Sequence, residues 1–289
     1  MPFRESPAMA IDLVSLGETF EDVIFHDLKS WPKLGEEQRC DRLLRTWGGG
    51  ALLTAVAAAR QRLSVQVVSG LAPGAHRFLK REGLKVRNLR KTGEPHALTV
   101  ALSTLEDRAF VTYPGVNEIL EERFLKALAT LRGRHLHLAL EPRDCAAWCQ
   151  ALSVVRERKL TVSWDFGWNE ELVRRPGFGQ LLEHIDFLFL NETEASLYGP
   201  GLDWSWRPGT TIIKLGKQGC LAWRGQRKTE VRGLPVKAID STGAGDAFNG
   251  GFLAGMLSGQ SLSECLAFGN RIGAASTLCP GGLEGLPRA

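Results

Sequence analysis

The sequence lacks three features that would assign it to other classes of protein. It has no cysteine pair at the two-residue spacing typical of zinc sites, no apolar run long enough to span a membrane, and no long block of basic residues. These absences argue against a structural zinc site, a membrane-spanning segment and a nucleic-acid partner, respectively. The short apolar stretch near the amino terminus is interrupted by Asp12, so a signal peptide is not expected either.

The chain also lacks an obvious linker, internal repeat or low-complexity segment. We therefore predict a single domain over residues 1–289, and the 44% of hydrophobic residues is enough for a sizeable core. The net charge of +4 is spread along the chain, which favours small anionic ligands. The six cysteines show no pairing pattern, so we expect reduced thiols and a cytoplasmic protein.

Apolar runs of strand length alternate with helical patterns through most of the chain. This βα order predicts an α/β fold with three layers, in which a mostly parallel sheet is covered by helices on both faces. The predicted strands are residues 11–16, 65–69, 135–140, 160–164, 187–190 and 211–215. The predicted helices are residues 51–61, 75–82, 118–131, 145–158, 192–198, 246–257 and 263–277.

Two segments, residues 18–47 and 86–114, break this rhythm. The second contains two strand-like stretches joined by a polar turn at Glu106, Asp107 and Arg108. We predict that both segments form a small β lid over the carboxyl ends of the core strands, where open α/β sheets bind ligands. Because exposed strand edges can pair, the lid leaves two alternatives open, a monomer and a homodimer formed through the lid.

The most specific pattern is a glycine-rich turn at residues 240–252 that runs into an apolar, helix-forming segment. Glycines permit a tight turn, so the amides of Gly243, Ala244 and Gly245 can converge on an anion at the positive end of the helix dipole. Asp246 follows at once, and an acid in a place built to attract anions favours a chemical role over a packing role. The alternative is a turn that only caps the helix.

This run resembles the carboxy-terminal signature of the ribokinase-like carbohydrate kinases, the phosphofructokinase B family. The resemblance implies the ribokinase-like fold and ATP-dependent phosphorylation of a hydroxyl group on a sugar or sugar derivative, with ATP and Mg²⁺ as cofactors. It assigns Asp246 as the catalytic base and Gly243, Ala244 and Gly245 as the amides that stabilise the transferred group. A nucleoside kinase on the same fold and a non-catalytic sugar sensor are the alternatives.

The resemblance extends to the amino-terminal part of the chain. Asp22 matches the aspartate that holds sugar hydroxyls in the family, and a carboxylate can accept hydrogen bonds from two adjacent hydroxyls. Gly48 and Gly49 belong to a glycine run that is similar to the family's first glycine signature, where the backbone lies close to the sugar. These three residues are the predicted sugar contacts.

Leu53 departs from the family pattern, because many members carry an asparagine there that hydrogen-bonds the sugar. A leucine side chain has neither donor nor acceptor. Trp47 and Thr54 are the nearby candidates to substitute, one by stacking and the other by its hydroxyl, and packing is the alternative for both. Leu53 and Trp47 also keep a nucleoside acceptor open, since a base needs an apolar or aromatic slot.

The run from Asn191 to Glu194 resembles the family's N-x-x-E motif, which helps to organise magnesium and phosphate through water. The resemblance assigns Asn191 to the nucleotide site and Glu194 to Mg²⁺ through a water molecule, and oxygen ligands suit a hydrated Mg²⁺. The same spacing is also that of a capping box at a helix start, and both interpretations can hold together.

Other matches complete the nucleotide side. Lys214, Gly216 and Gly219 lie in a segment that resembles the family's G-x-x-G turn beside the nucleotide, and Asn270 lies in a segment that resembles the family helix that borders adenine.

The resemblance also implies a monovalent cation, K⁺, near Asp240, Thr242 and residues 279–282.

His135 and His137 alternate along an apolar strand without a third metal ligand nearby in sequence. We therefore interpret both as interior histidines. Trp204 and Trp206 are expected to cover the core.

Overall fold

The computed structural model describes residues 10–104 and 108–289, so the predicted turn at Glu106 and Asp107 lies outside the described residues. In chain order the strands are β1 (Leu13–Gly17), β2 (Phe20–Leu28), β3 (Arg42–Gly48), β4 (Val65–Ser69), β5 (Lys85–Asn88), β6 (Leu98–Thr104), β7 (Arg108–Tyr113), β8 (His135–Ala139), β9 (Thr161–Asp165), β10 (Phe187–Asn191), β11 (Thr210–Lys214), β12 (Gly219–Arg224) and β13 (Arg227–Arg232). The α-helices are α1 (Gly50–Arg60), α2 (Pro73–Arg81), α3 (Leu120–Leu128), α4 (Cys145–Glu157), α5 (Phe178–Glu183), α6 (Glu192–Tyr198), α7 (Ala244–Leu257) and α8 (Leu262–Ser276).

The main sheet has nine strands in the order β13-β12-β11-β10-β9-β8-β1-β4-β5. In this sheet, neighbouring strands pair in parallel along the row β11, β10, β9, β8, β1, β4 and β5, and β12 and β13 add an antiparallel hairpin at one edge. Strand β1 is buried along its whole length between β4 and β8, which is why its residues are mostly apolar on both faces of the sheet. The predicted mostly parallel sheet is confirmed.

The helices cover both faces of the main sheet. Successive residues of a strand point to opposite faces, so Val14 packs in the cluster that contains α3, α4 and α5, and Leu13 packs in the cluster that contains α1, α7 and α8. Each cluster closes one side of the sheet. The predicted three-layer α/β/α arrangement is therefore confirmed.

A second sheet has four strands in the order β3-β2-β6-β7. The hairpin of β2 and β3 and the hairpin of β6 and β7 are antiparallel, and β2 joins β6 in parallel. An added Cβ at Gly281 would lie 2.9 Å from Leu44 and 3.9 Å from Ile24, so this sheet packs against the loop that follows α8. We call it the second sheet below.

The structure differs from the predicted elements at the edges of the main sheet. Strand β5 pairs with β4 in the main sheet, so the prediction that residues 86–88 belong to the lid is wrong. Strands β12 and β13 and the six-residue helix α5 were not predicted. The sequence of β13, RKTEVR, is mostly polar because the strand lies at an exposed edge, and it therefore lacks the apolar pattern by which a strand is recognised.

The two histidines of β8 are buried, which confirms the prediction that they are interior residues. His135 Nδ1 lies 2.7 Å from Thr161 Oγ1, and its Nε2 lies 2.7 Å from Ser163 Oγ. Burial lowers the pKa of His135 to about 3, so the ring is neutral. Among residues 10–104 and 108–289, no group of three or more histidine, cysteine, aspartate or glutamate side chains could hold a metal ion.

Trp204 is buried, as predicted, whereas the ring of Trp206 stacks on it and stays about half exposed. All six cysteines are free thiols. Within the described part of the chain, no helix is long and apolar enough to cross a membrane.

Close packing of α1 against α7 generates a first prediction. An added Cβ at Gly250 would lie 2.5 Å from the Cβ of Ala57 and 2.7 Å from the carbonyl oxygen of Thr54. Gly250→Ala must therefore push the two helices apart, and we expect it to lower the free energy of unfolding by about 1–3 kcal/mol, measured by denaturant titration.

Gly179→Ala in α5 is the matched control, because nothing lies within 4 Å of the Cβ that it adds. Alanine is the better helix former, so this variant should be more stable than the wild type by about 0.5–1 kcal/mol. Equal stabilities for the two variants would contradict the close contact between α1 and α7.

Candidate active site

The glycine-rich turn lies where the amino termini of α1 and α7 meet the carboxyl end of β8. Gly243 precedes α7 with φ 71°, in the left-handed region that favours glycine. An added Cβ on it would lie 2.5 Å from Leu53 Cδ1, so Leu53 of α1 packs directly beneath the turn. The first amides of a helix have no partner within the helix, so that of Gly245 is suited to bind an anion, as is that of Ala244, whose bond to the Ser241 carbonyl oxygen before the helix is long at 3.3 Å.

Asp246 lies in the first turn of α7, beside the first turn of α1. An added Cβ at Gly50 would lie 3.1 Å from Asp246 Oδ1 and 3.0 Å from the Cβ of Ala139, so any side chain at residue 50 would displace the carboxylate. Burial and the negative charge of Asp165 raise the pKa of Asp246 to about 7. A carboxyl group with such a pKa can exchange a proton near neutral pH.

A buried ion pair lies next to the turn. Lys214 Nζ at the end of β11 lies 2.7 Å from Asp165 Oδ2 at the end of β9, and Asn249 of α7 donates a hydrogen bond to the same oxygen at 2.8 Å. Burial opposes ionisation of Asp165, but the Lys214 charge and these hydrogen bonds outweigh it and lower the pKa of Asp165. An added Cβ at Gly245 would lie 3.2 Å from Lys214 Nζ, so the ammonium group stands beside the anion-binding turn.

Asn249 was not among the predicted site residues. A fully buried amide within an apolar helix is the signal that could have found it, because such a group needs polar partners.

Asn191 and Glu194 form the predicted capping box at the start of α6. The Asn191 side chain accepts from the Glu194 amide at 2.8 Å, and the Glu194 carboxylate accepts from the Asn191 amide at 2.8 Å. Burial, followed by the charge of Asp165, raises the pKa of Glu194. Mg²⁺ in phosphate sites usually keeps several waters and binds one or two carboxylates and the substrate phosphates, so Glu194 fits a magnesium ion held through water.

The predicted nucleotide residues surround a cavity of about 500 Å³ between α7, α8 and the hairpin of β12 and β13. Lys214, Gly216, Gly219 and Asn270 line it together with Gly245, whereas Asn191 is not part of the lining. The cavity wall also contains the apolar residues Leu234, Pro235, Val236 and Phe248. One end of the cavity therefore opens on the anion-binding turn, and the rest offers apolar surface for a flat ring.

The side-chain nitrogen of Asn270 forms hydrogen bonds within the protein. Its Nδ2 donates to the carbonyl oxygens of Val231 at 3.3 Å and Arg232 at 3.1 Å. These bonds tie α8 to β13, and they leave the side-chain oxygen as the group through which Asn270 can contact a base.

Asp22 extends from β2 of the second sheet toward the glycine run. An added Cβ at Gly48 would lie 1.9 Å from Asp22 Oδ2, and one at Gly49 would lie 2.5 Å from the carbonyl oxygen of Glu18. Burial raises the pKa of Asp22 to about 7, and burial likewise raises the pKa of Glu18 to about 7. Both carboxyl groups are thus partly withdrawn from water, and that of Asp22 lies against the glycine run.

The structure favours packing roles for Thr54 and Trp47. Thr54 is fully buried, and its hydroxyl donates to the carbonyl oxygen of Asp246 at 3.1 Å, so it supports the turn and does not face a sugar. The Trp47 ring lies against Gly74, where an added Cβ would come within 2.4 Å of it. The Thr54 hydroxyl is therefore not free to replace the family asparagine whose place Leu53 takes, whereas stacking of Trp47 on a sugar stays a prediction.

A family profile described as "pfkB family carbohydrate kinase" matches residues 10–289 of this chain. The chain belongs to the pfkB family of carbohydrate kinases. This family assignment confirms the resemblance that the glycine-rich turn carries.

Several known proteins and solved structures are similar to this chain. An uncharacterized sugar kinase of Archaeoglobus fulgidus is 46% identical over 27% of this chain and 31% of its own length. A nucleoside kinase of Methanothermobacter thermautotrophicus is 24% identical over 90% of this chain and 87% of its own length. The structure of Arabidopsis thaliana ribokinase complexed with ribose and ATP superposes with a TM-score of 0.77 at 23% identity, covering 97% of this chain and 96% of that chain.

The matched region covers about a third of the length of the Archaeoglobus relative. The ribokinase similarity over nearly the whole chain confirms the ribokinase-like fold.

The pfkB resemblance also implied K⁺ at Asp240 and Thr242, and the donor set there does not fit it. The Asp240 carboxylate accepts from the Thr242 amide at 2.8 Å, the Thr242 hydroxyl at 2.6 Å, the Gly281 amide at 2.9 Å and the Arg108 guanidinium at 3.0 Å. K⁺ needs oxygen ligands and no competing cation, whereas both oxygens of this carboxylate already accept hydrogen bonds and a guanidinium stands beside them. Arg108 was not among the predicted site residues.

The raised pKa of Asp246 generates a second prediction. A carboxyl group whose folded pKa lies above its unfolded value binds protons more tightly in the folded state, so its contribution to stability is lost as pH rises from about 4 to about 7. Asp246→Asn removes this charge. We expect the variant to be more stable than the wild type at pH 8 by on the order of 1 kcal/mol or more, with a smaller difference at pH 5.

The measurement is denaturant unfolding of both proteins without ligands at pH 5, 6, 7 and 8. Asp41→Asn, which removes an exposed carboxylate, is the control and should show no such trend. A stability difference that is independent of pH for Asp246→Asn would contradict the electrostatic account of the site.

Proposed function

We propose that the protein transfers the γ-phosphoryl group of ATP to a hydroxyl of a sugar or sugar derivative. The observation that carries this proposal is the position of Asp246. Its carboxylate lies beside Gly50, in the glycine run that packs on Asp22, and it directly follows Gly245, which lines the 500 Å³ cavity. One acid therefore stands between a cavity for the nucleotide and the proposed sugar contacts.

The proposed mechanism asks little covalent chemistry of the protein. Asp246 orients the acceptor hydroxyl and takes its proton as the phosphoryl group arrives. The amides of Gly243, Ala244 and Gly245 stabilise the charge of the transferred group, and the Lys214 ammonium adds a positive charge beside them. Mg²⁺, when bound, neutralises and orients the ATP phosphates.

On the acceptor side we propose that Asp22 accepts hydrogen bonds from sugar hydroxyls, with the backbone of Gly48 and Gly49 close to the ring. The ribose and ATP in the Arabidopsis ribokinase structure support this pairing of a sugar with a nucleotide. We further propose that the second sheet acts as a lid on one domain, that the enzyme is a monomer or a homodimer through that sheet, and that it works in the cytoplasm.

A nucleoside acceptor is the second candidate. The observation that favours it is the apolar side chain at Leu53, together with the Methanothermobacter nucleoside kinase that aligns over 90% of the chain. Leu53 packs beneath the turn. It lacks the hydrogen-bonding group of the family asparagine, but it does not itself form a slot for a base. The sensor alternative is disfavoured because a protein without catalysis has no need of an acid in an anion-binding turn.

The third prediction tests catalysis. Asp246→Asn keeps the size of the side chain but removes the base, so we expect kcat to fall by about 10²-fold or more while sugar binding is largely retained. ADP release is measured with ketoses, aldoses, amino sugars, sugar acids and nucleosides as acceptors, and binding is measured by calorimetry. Asp41→Asn is the control and should turn over like the wild type.

A near-normal kcat for Asp246→Asn would overturn the proposal. Turnover with nucleosides alone would select the second candidate, and no ADP release with any acceptor would favour the sensor.

The fourth prediction concerns pH. Asp246 must be ionised to accept a proton, and its pKa is raised to about 7, so log(kcat/KM) should fall with unit slope as the pH drops below that value. Because the pKa of Asp22 is raised to the same range, the profile is compared with that of Asp22→Asn, which should keep the acid limb. A profile that is flat from pH 8 to pH 5.5 would exclude Asp246 as the base.

A further inference from the structure

An arginine of the second sheet reaches the segment that leads into the anion-binding turn. Arg108 begins β7, and its Nη1 donates to Asp240 Oδ1 at 3.0 Å and to the Thr242 hydroxyl, while its Nη2 donates to Ser241 Oγ at 2.9 Å. One guanidinium thus contacts three successive residues more than 130 positions away in the sequence.

Asp240 is the centre of this contact. Its Oδ2 accepts from the Gly281 amide, and its Oδ1 accepts from the Thr242 amide, so one carboxylate joins the loop before α7 to the loop after α8. The side chain is only 10% exposed. A negative charge in such a place needs a positive partner, because water is largely excluded.

The partner is the Arg108 guanidinium. Although burial opposes ionisation, hydrogen bonds from Thr242 and Gly281 and the charge of Arg108 together lower the pKa of Asp240, so the carboxylate is ionised at neutral pH. A second cation at Asp240 would be repelled by the guanidinium and would have to displace N–H donors from the carboxylate.

We infer that Arg108 supplies, from within the chain, the positive charge that a monovalent cation would bring to the loop before the anion-binding turn, so that turnover does not depend on K⁺. Arg108 is a positioning residue in this inference, since it acts through Asp240, Ser241 and Thr242; it also lines a small cavity with Asp22, the proposed sugar contact. The inference rests on the proposed phosphoryl transfer. It also links the second sheet to the turn, because the guanidinium belongs to β7 and its partners immediately precede Gly243.

The test compares wild type, Arg108→Ala and Arg108→Lys in KCl, NaCl and tetramethylammonium chloride of equal ionic strength. The wild type should have the same kcat in all three salts. Arg108→Ala should lose at least about tenfold in kcat in tetramethylammonium chloride, because misplaced amides stabilise the transferred group less well. KCl should restore part of that loss, and Arg108→Lys should lie between the two proteins.

A binding measurement runs beside the kinetics. A cation that binds the folded state raises the melting temperature, so KCl should raise that of Arg108→Ala more than tetramethylammonium chloride does. The wild type should have the same melting temperature in both salts. Arg42→Ala is the matched control, because Arg42 is also an arginine of the second sheet but pairs with the exposed Asp27. It should match the wild type in every salt.

Two results would overturn the inference: a wild type that needs K⁺ for turnover or is stabilised by it specifically, and an Arg108→Ala variant that behaves like Arg42→Ala. Should Arg108→Ala fail to fold, Arg108→Gln, which keeps a donor of similar reach, takes its place in both measurements. If no acceptor yields ADP, the proposed function fails, and the melting temperatures still decide whether the wild type binds K⁺.

Discussion

The close approach of α1 and α7 is the constraint on which the rest of the site depends. Gly250 lets α7 come within contact of the backbone of α1, and the Thr54 hydroxyl then bonds the Asp246 carbonyl oxygen across the contact. This packing sets the amino ends of both helices at the carboxyl edge of the parallel sheet, where such sheets bind ligands. The glycine run of one helix and the acid of the other meet there because no side chain at Gly50 stands between them.

At the turn, one ammonium group faces three carboxyl groups. Lys214 faces the carboxylates of Asp165, Glu194 and Asp246, and its closest bond is to Asp165. Asp165 therefore stays ionised, while the pKa values of the other two are raised. Two aspartates on one scaffold thus acquire different protonation behaviour from their neighbours alone, which is how an enzyme can keep one acid as a structural counter-ion and another as a base.

The sequence could predict the layers of the fold and the turn, because these depend on local patterns. Buried parallel strands such as β1 are mostly apolar, and residues 240–252 keep their glycines and acid within a few positions. The edge strands β5 and β13 could not be predicted in the same way, since their residues are mostly polar. Nor could the contact of Arg108 with Asp240, which joins distant segments.

Similarly, the sequence placed Thr54 near the acceptor but could not show that its hydroxyl turns toward α7.

Asp22 and Arg108 both belong to the second sheet, whereas the 500 Å³ cavity is lined by residues of the main sheet, its helices and the loops that join them, including the loop between β13 and α7. Under the proposed function, the part of the chain that holds ATP is thus separate from the part that supplies the alcohol and steadies the turn. A chain that kept the first part and lost the second would leave Asp246 facing solvent with a bound triphosphate. Water would then be the nearest nucleophile, and such a remnant would hydrolyse ATP wastefully. Under the proposed function, the second sheet accordingly determines where the phosphate goes as well as which sugar enters.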